Sequence, residues 1–232
     1  MVAKSRVFVA LRVKAIIMDM DGTITNFNLD FIDVRRKALK ELERLNLRTA
    51  DMTEQTSFFG LLDAVKNKLD PLSYVFLRRK FYNLLEEMEL GGAKEVTLYT
   101  GAVETLLMLR NRGVKIGLVT NNGRAGTDLT LNRLGLQTFF DVVVTRDDCE
   151  EMKPSAEPVR QALSKMNVQV QDAILVGDGV MDVLAARATS LLSVAVTTGP
   201  FSNERLVKVE PDYLLGSIND LPLLIDILET KK

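Results

Sequence analysis

The chain alternates between short apolar runs closed by turn residues and longer stretches with apolar positions at helical spacing. Residues 13–18, Val-Lys-Ala-Ile-Ile-Met, end in a continuous apolar run that breaks off at Asp19-Met20-Asp21-Gly22-Thr23. A short apolar run bounded by a turn signal predicts a strand buried on both faces. Runs of the same kind cover 114–119, 140–144, 173–176 and 192–196, with a short sixth at Tyr213-Leu214-Leu215 and an extra edge strand at Val7 to Leu11. Between them, Val103-Leu106-Leu107-Leu109, residues 126–134, a stretch opened by Pro154 and running through Val159 and Leu163 to Met166, residues 182–188 and residues 221–228 carry helical patterns. Gly113 and Gly135 stand where helices stop. Strands alternating with helices predict a parallel, right-handed α/β sheet covered on both faces.

One long stretch departs from that alternation. From Thr25 to about Thr97, Phe31, Val34, Ala38, Leu42 and Leu45 recur at three- and four-residue spacing, with Asp30 placed to cap their helix. Phe58, Leu61, Leu62, Val65 and Leu69 continue the pattern up to Asp70-Pro71, and a third helix spans about Leu72 to Leu90 before Gly91-Gly92. The expectation is an α/β core formed by residues 1–24 and 97–232, interrupted by an α-helical unit over residues 25–96.

Composition narrows the function classes. The chain has 232 residues, 47% hydrophobic and 26% charged, which suits a soluble protein with one core and a sizeable insertion, or two small domains. A formal net charge of −1 offers no basic field for nucleic acid. No apolar run is long enough to span a membrane, and the start has no secretory pattern. The one cysteine, Cys149, excludes an intramolecular disulfide and fits a reducing, cytoplasmic setting. With no histidine, a His triad, a His-ligated zinc site and phosphohistidine chemistry are excluded, so acid–base work falls to carboxylates, Lys, Tyr or that Cys. No G-x-G-x-x-G follows the first strand, which argues against a nicotinamide-binding protein. The sequence says nothing of oligomeric state.

The candidate chemistry sits at strand ends, where open α/β sheets place their ligands. D-x-D-G-T arises by chance in roughly one chain of this length in several hundred. Asp19-Met20-Asp21-Gly22-Thr23 after a strand, Thr120-Asn121-Asn122 after another, then Lys153-Pro154, then Gly177-Asp178 with Asp182 after a third, resemble the ordered motifs of the haloacid dehalogenase (HAD) superfamily. The nearest resemblance is to phosphoglycolate phosphatase-like members. It implies a Rossmann-like parallel sheet flanked by helices, with an inserted α-helical cap domain of the C1 type acting as a lid.

The resemblance also implies roles. Asp19 would be the nucleophile, forming an aspartyl phosphate, and a carboxylate needs no deprotonation to act. Asp21 would protonate the leaving group and then activate water. Lys153 would neutralise charge on Asp19 and the phosphoryl group. Gly22, Thr23, Thr120 and Asn121 would bind the phosphoryl oxygens. Mg²⁺ would be held by Asp19, Asp21 (through its carbonyl) and Asp178, with Asp182 as a further ligand or an outer partner. The substrate would be a small phosphorylated metabolite such as phosphoglycolate, a sugar phosphate, a nucleotide or pyrophosphate. Two departures stand out: Thr100 replaces a common Pro, and Gly179 replaces a common Ser or Thr. Dehalogenases and phosphonatases lack a carboxylate at the position of Asp21, which favours phosphate-ester chemistry. A β-phosphoglucomutase-like phosphomutase carries a His soon after the first motif, and a non-catalytic phosphate-binding regulator would not need the Asp19–Asp21 pair; both stand as alternatives.

Other features read as structure. Asp147, Asp148, Glu150 and Glu151 read as a solvated loop, Cys149 as a bystander, and Arg78-Arg79-Lys80 as a solvated helix face in preference to a contact for an anionic substrate. Asn26 and Phe27 stand where the insertion joins the core, as hinge or substrate contacts.

Overall fold

A computed structural model describes residues 12–26 and 31–230. The first elements are β1 (Ala15–Met18), β2 (Thr25–Asn26), α1 (Phe31–Arg44), α2 (Phe58–Lys66), α3 (Pro71–Gly92) and β3 (Thr97–Leu98). They are followed by α4 (Ala102–Asn111), β4 (Lys115–Val119), α5 (Arg124–Leu134), β5 (Val142–Val144), α6 (Glu157–Met166) and β6 (Ala173–Gly177). The chain closes with α7 (Val180–Thr189), β7 (Leu192–Val196), α8 (Asn203–Lys208), β8 (Tyr213–Leu215) and α9 (Leu221–Thr230).

Six strands form one parallel sheet in the order β5-β4-β1-β6-β7-β8. All four residues of β1 are fully buried, and they alternate between the two faces. Ile16 and Met18 pack with Leu106 and Leu109 of α4 and Leu224 and Leu228 of α9. Ala15 and Ile17 face Val159 and Leu163 of α6 and Ala185 of α7. Burial of each such aliphatic side chain contributes about 1.5–3 kcal/mol, so β1 is pinned from both sides. The sheet grows from β1 through β4 to β5 on one side and restarts at β6 on the other. That reversal opens a crevice at the carboxyl ends of β1, β4 and β6.

Helices α1–α3 bury their apolar stripes against one another. Val34, Leu42, Phe58, Leu61, Phe81 and Leu85 belong to a cluster that shares no residue with the two flanking the sheet. Ser57 caps α2 by accepting from the Gly60 N–H, and Asp70 caps α3 with Pro71 in its first turn. The segment leaves and returns through the antiparallel pair β2–β3, with Thr25 opposite Leu98 and Asn26 opposite Thr97.

The expected strands and helices are present with small shifts of boundary, apart from the edge strand at Val7 to Leu11, which lies outside the described residues, as do Phe27 and the cap at Asp30. One correction concerns Pro154. It does not open a helix: it follows a cis peptide bond in a turn, and α6 begins at Glu157. Pro158 is the proline in the first turn of that helix. The β2–β3 pair and α8 have no clear sequence signal.

Candidate active site

Asp19 immediately follows β1, and its N–H donates to the Val176 carbonyl at 2.9 Å, tying this strand end to β6. The chain then turns tightly: the N–H groups of Ile24 and Thr25 both donate to the Met20 carbonyl. Gly22 takes φ +81°, and a Cβ there would run into the Asp178 carboxyl. A side chain at 22 would therefore fail twice, on conformation and on space.

The turn folds Asp21 back beside Asp19. Thr25 Oγ1 lies 2.8 Å from one Asp21 oxygen, and the Asn122 amide donates to the other at 2.5 Å. Burial and the neighbouring Asp19 push the Asp21 carboxyl up to about 7, against the opposing effect of the Thr25 and Asn122 hydrogen bonds. The group thus holds a proton at a pH where an ordinary carboxyl has lost it.

Lys153 Nζ bridges two carboxylates, at 2.6 Å from Asp19 Oδ1 and 2.6 Å from Asp182 Oδ1. Its side chain is 4% exposed. Burial works against the ammonium, but Asp182 and Asp19 outweigh it and hold its pKa above the ordinary lysine value. The other Asp182 oxygen accepts from the Gly179 N–H at 3.0 Å, so both oxygens of Asp182 are engaged. Asp178, at the end of β6, accepts from Thr23 Oγ1 at 3.3 Å. Burial, then the nearby Asp19 and Asp182, push its carboxyl up to about 8. Burial and Asp19 raise Asp182 to about 6, with Lys153 opposing.

One oxygen from each of Asp19, Asp178 and Asp182 lies within 4.8 Å of the other two. Three carboxylates this close, two of them buried and Asp19 partly so, repel one another, which adds to burial in raising Asp178 and Asp182. Hard oxygen donors that crowd a single point fit a small divalent cation such as Mg²⁺.

The loop after β4 joins these pieces. Thr120 is buried, and its hydroxyl accepts from the Asn122 N–H at 3.2 Å. The Asn121 amide exchanges hydrogen bonds with the Lys153 backbone at 3.0 and 3.1 Å, which fixes the loop that carries the lysine. Gly22 accepts from Thr198 Oγ1 through its carbonyl. The structure therefore gathers Asp19, Asp21, Gly22, Thr23, Thr120, Asn121, Lys153, Asp178 and Asp182 around one crevice. Thr25 and Asn122, which grip Asp21, have no role that the sequence alone assigns. The only sequence signal for Asn122 is its place directly after Thr120-Asn121.

The remaining candidates fall where a structural reading puts them. Asp147 and Asp148 accept hydrogen bonds from Arg124, and Asp148 also from Thr145. Cys149 donates to Gln161, and burial pushes its thiol up to about 11, so it is not a thiolate nucleophile. Lys80 pairs with Glu41, and Arg78 lies over the Tyr82 ring. Asn26 is exposed on β2. A cavity of about 480 Å³ lies between α2, α3 and the Lys153-Pro154 turn, lined by Phe59, Tyr74, Arg78 and Tyr82. Another, of about 620 Å³, opens around Lys14, Val114 and Lys115 at the opposite ends of the strands, away from this chemistry. Among the described residues, no helix is long and apolar enough to cross a membrane.

Residues 16–196 match the model of the haloacid dehalogenase-like hydrolase family. The chain belongs to this family. It is 31% identical to the pyrophosphatase PpaX of Bacillus velezensis, over 90% of this chain and 95% of that one. It is 37% identical to the PpaX of Bacillus pumilus over a shorter stretch, 56% of this chain and 60% of that one. Among solved structures it is similar to a predicted phosphoglycolate phosphatase from Haemophilus somnus, with a TM-score of 0.63, 22% identity and coverage of 91% and 97% of the two chains. The last of these shows the shared fold. The matched residues take in the ends of β1, β4 and β6 and the turn before α6, where Asp19, Asp178 and Lys153 meet.

Proposed function

We propose that the protein is a Mg²⁺-dependent phosphatase of small phosphorylated metabolites, working through an aspartyl phosphate on Asp19. The observation that carries this reading is the pairing of two neighbouring carboxyls in opposite situations. Asp19 is held by the Lys153 ammonium, whereas Asp21 is buried, held by a hydroxyl and an amide, and raised to about 7. One is suited to attack and the other to give a proton.

In the first step Asp19 attacks phosphorus, the bond to the leaving-group oxygen breaks, and Asp21 delivers its proton to that oxygen. In the second, Asp21 takes a proton from water as the water attacks phosphorus, which releases phosphate and restores Asp19. Thr120 and the backbone N–H of Asn121 would hold the equatorial oxygens; the N–H groups of Gly22 and Thr23, expected in the same role, instead donate within the turn to the Thr25 and Met20 carbonyls. Lys153 balances charge on Asp19 throughout, and Asn121 keeps the lysine's loop in place. Asp19, Asp178 and the Asp21 carbonyl would hold the Mg²⁺, with Asp182 outside them because both its oxygens are engaged. When bound, the ion supplies positive charge to the phosphoryl group and to the carboxylates around it. Residues 25–96 would act as the cap, with the cavity beside Phe59, Tyr74, Arg78 and Tyr82 taking the leaving group.

Relatives named pyrophosphatase and a fold neighbour named phosphoglycolate phosphatase put both compounds at the head of a substrate panel. Phosphate release from pyrophosphate, 2-phosphoglycolate, sugar phosphates and nucleotides, with Asp19→Asn in parallel, tests the reading. The wild type should turn over at least one of them with Mg²⁺ and stop in excess chelator. The Asp19→Asn variant should be inactive with an unchanged circular-dichroism spectrum. Equal activity of the two proteins, or full activity in chelator, would overturn the mechanism. Silence of the wild type across the panel would favour a phosphate-binding regulator.

A further inference from the structure

The four-residue loop Thr120-Asn121-Asn122-Gly123 ties four separate parts of the protein together. Thr120 faces the crevice, Asn121 holds the Lys153 backbone, Asn122 grips Asp21, and the Gly123 N–H donates to Glu89 Oε2 at 3.0 Å. Glu89 belongs to the last turn of α3 in the helical segment. It pairs through both oxygens with Arg146, at 2.6 and 3.0 Å, and the two side chains are 3% and 2% exposed. Arg146 in turn donates from its side chain to the Asn121 carbonyl at 3.0 Å and from its backbone to the Asn122 carbonyl at 2.9 Å. Its guanidinium also lies over Tyr82 of α3, 4.9 Å from the ring centre. A Cβ at Gly123 would stand 2.7 Å from Arg146 Nη2, so the loop approaches the pair as closely as a glycine allows.

Asp21 is held by two side chains of different origin. Thr25 belongs to the same turn, four residues on, and moves with it. Asn122 comes from the end of another strand, 101 residues away, and is the side chain that fixes the acid relative to the phosphate-facing loop. From this arrangement we infer that Asn122 is a positioning residue for the proton-donating carboxyl of Asp21. The buried Glu89–Arg146 pair holds Asn122 in register, so the root of α3 in the helical segment is coupled to the placement of the acid. The inference rests on the phosphatase reading above and adds to it a specific path from the insertion to the leaving group. A buried, doubly bonded ion pair is a poor device for stability alone, because two charges must be desolvated to make it. Its geometry here orients a loop.

The test uses leaving groups that differ in their need for a proton. An alkyl phosphate depends on the acid, and p-nitrophenyl phosphate, with an acidic phenol as leaving group, depends on it far less. The readout is kcat/KM, which covers only the steps up to departure of the leaving group. Full acid–base help contributes roughly 10²–10⁴-fold, so Asn122→Ala should lower the ratio of kcat/KM for 2-phosphoglycolate or ethyl phosphate over p-nitrophenyl phosphate by about 10-fold or more. The double variant Glu89→Gln/Arg146→Met removes both charges and keeps an acceptor for the Gly123 N–H, so no lone charge is left buried. It should shift the same ratio in the same direction, and adding it to Asn122→Ala should shift the ratio no further. An equal loss on both ester types in Asn122→Ala would overturn the positioning role. Additive shifts in the combined variant would overturn the coupling to α3. No phosphate release by the wild type from any of the three esters is a separate failure, which overturns the ester-phosphatase reading and the inference with it.

Discussion

Lys153 touches Asp19 and Asp182 through a single ammonium, and its side chain is almost fully enclosed. Neutralising it would leave two carboxylates facing each other in a dry site. One response is open to the protein: a carboxyl can take up a proton, at the cost of the charge pattern. That response is easy at low pH and hard at high pH. Lys153→Met should therefore lose activity at every pH, whereas its loss of thermal stability should be small near pH 5.5 and larger near pH 8. Melting of both proteins across that range in excess chelator measures this, and a deficit independent of pH would mean that the ammonium does not hold Asp182 charged. The residue scale also shows what a sequence can hide. Asp19 and Asp178 announce themselves by their place directly after strands, and Lys153 by standing before a proline between β5 and α6. Asn122 and Glu89 do not, since an amide in a loop and an acid in a charged helix are ordinary until a fold brings them to Asp21 and Arg146.

Among the elements, β1 is the most legible, because four consecutive apolar residues ending in Asp-x-Asp-Gly have no helical or amphipathic reading. The α1–α3 stripes are equally clear from their spacing. The pair β2–β3 is invisible: each strand is two residues long, too short for any period to register. The start of α6 is easily misplaced because Pro154 and Pro158 both look like first-turn prolines, and only the folded chain distinguishes a turn from a helix start. The separateness of the α1–α3 cluster has an energetic consequence. Phe81 is fully buried there, in contact distance of the Phe58 ring at 5.3 Å between centroids. Replacing it with Ala should cost about 3–5 kcal/mol. A small helical unit with its own core has little to spare, so Phe81→Ala should unfold in urea in two steps, helical signal first. A single transition merely shifted to lower urea would show instead that the segment and the sheet fold as one.

At the scale of the whole molecule, the site burdens the fold that carries it. Asp21, Asp178 and Asp182 are raised by burial to about 7, 8 and 6 in the folded state. In the unfolded chain such groups titrate near pH 3.9. Below about pH 4 both states are protonated and the groups cost nothing. Between there and pH 8 the folded protein still binds protons that the unfolded chain has released, so stability falls as pH rises. The carboxylates held low act elsewhere: Glu41, lowered to about 2 by Arg44 and Lys80, loses its contribution only as the solution becomes strongly acidic. In chelator the melting temperature should therefore decline steadily from pH 5 to pH 8. A bound divalent cation competes with those same protons, so its benefit should follow the opposite course, slight at pH 5 and greatest at pH 8. Melting curves with and without Mg²⁺ across this range would read both trends at once. A melting temperature in chelator that stays flat or rises would mean that the cluster is not strained by burial, and the case for Asp178 and Asp19 as the cation's holders would lose its physical basis.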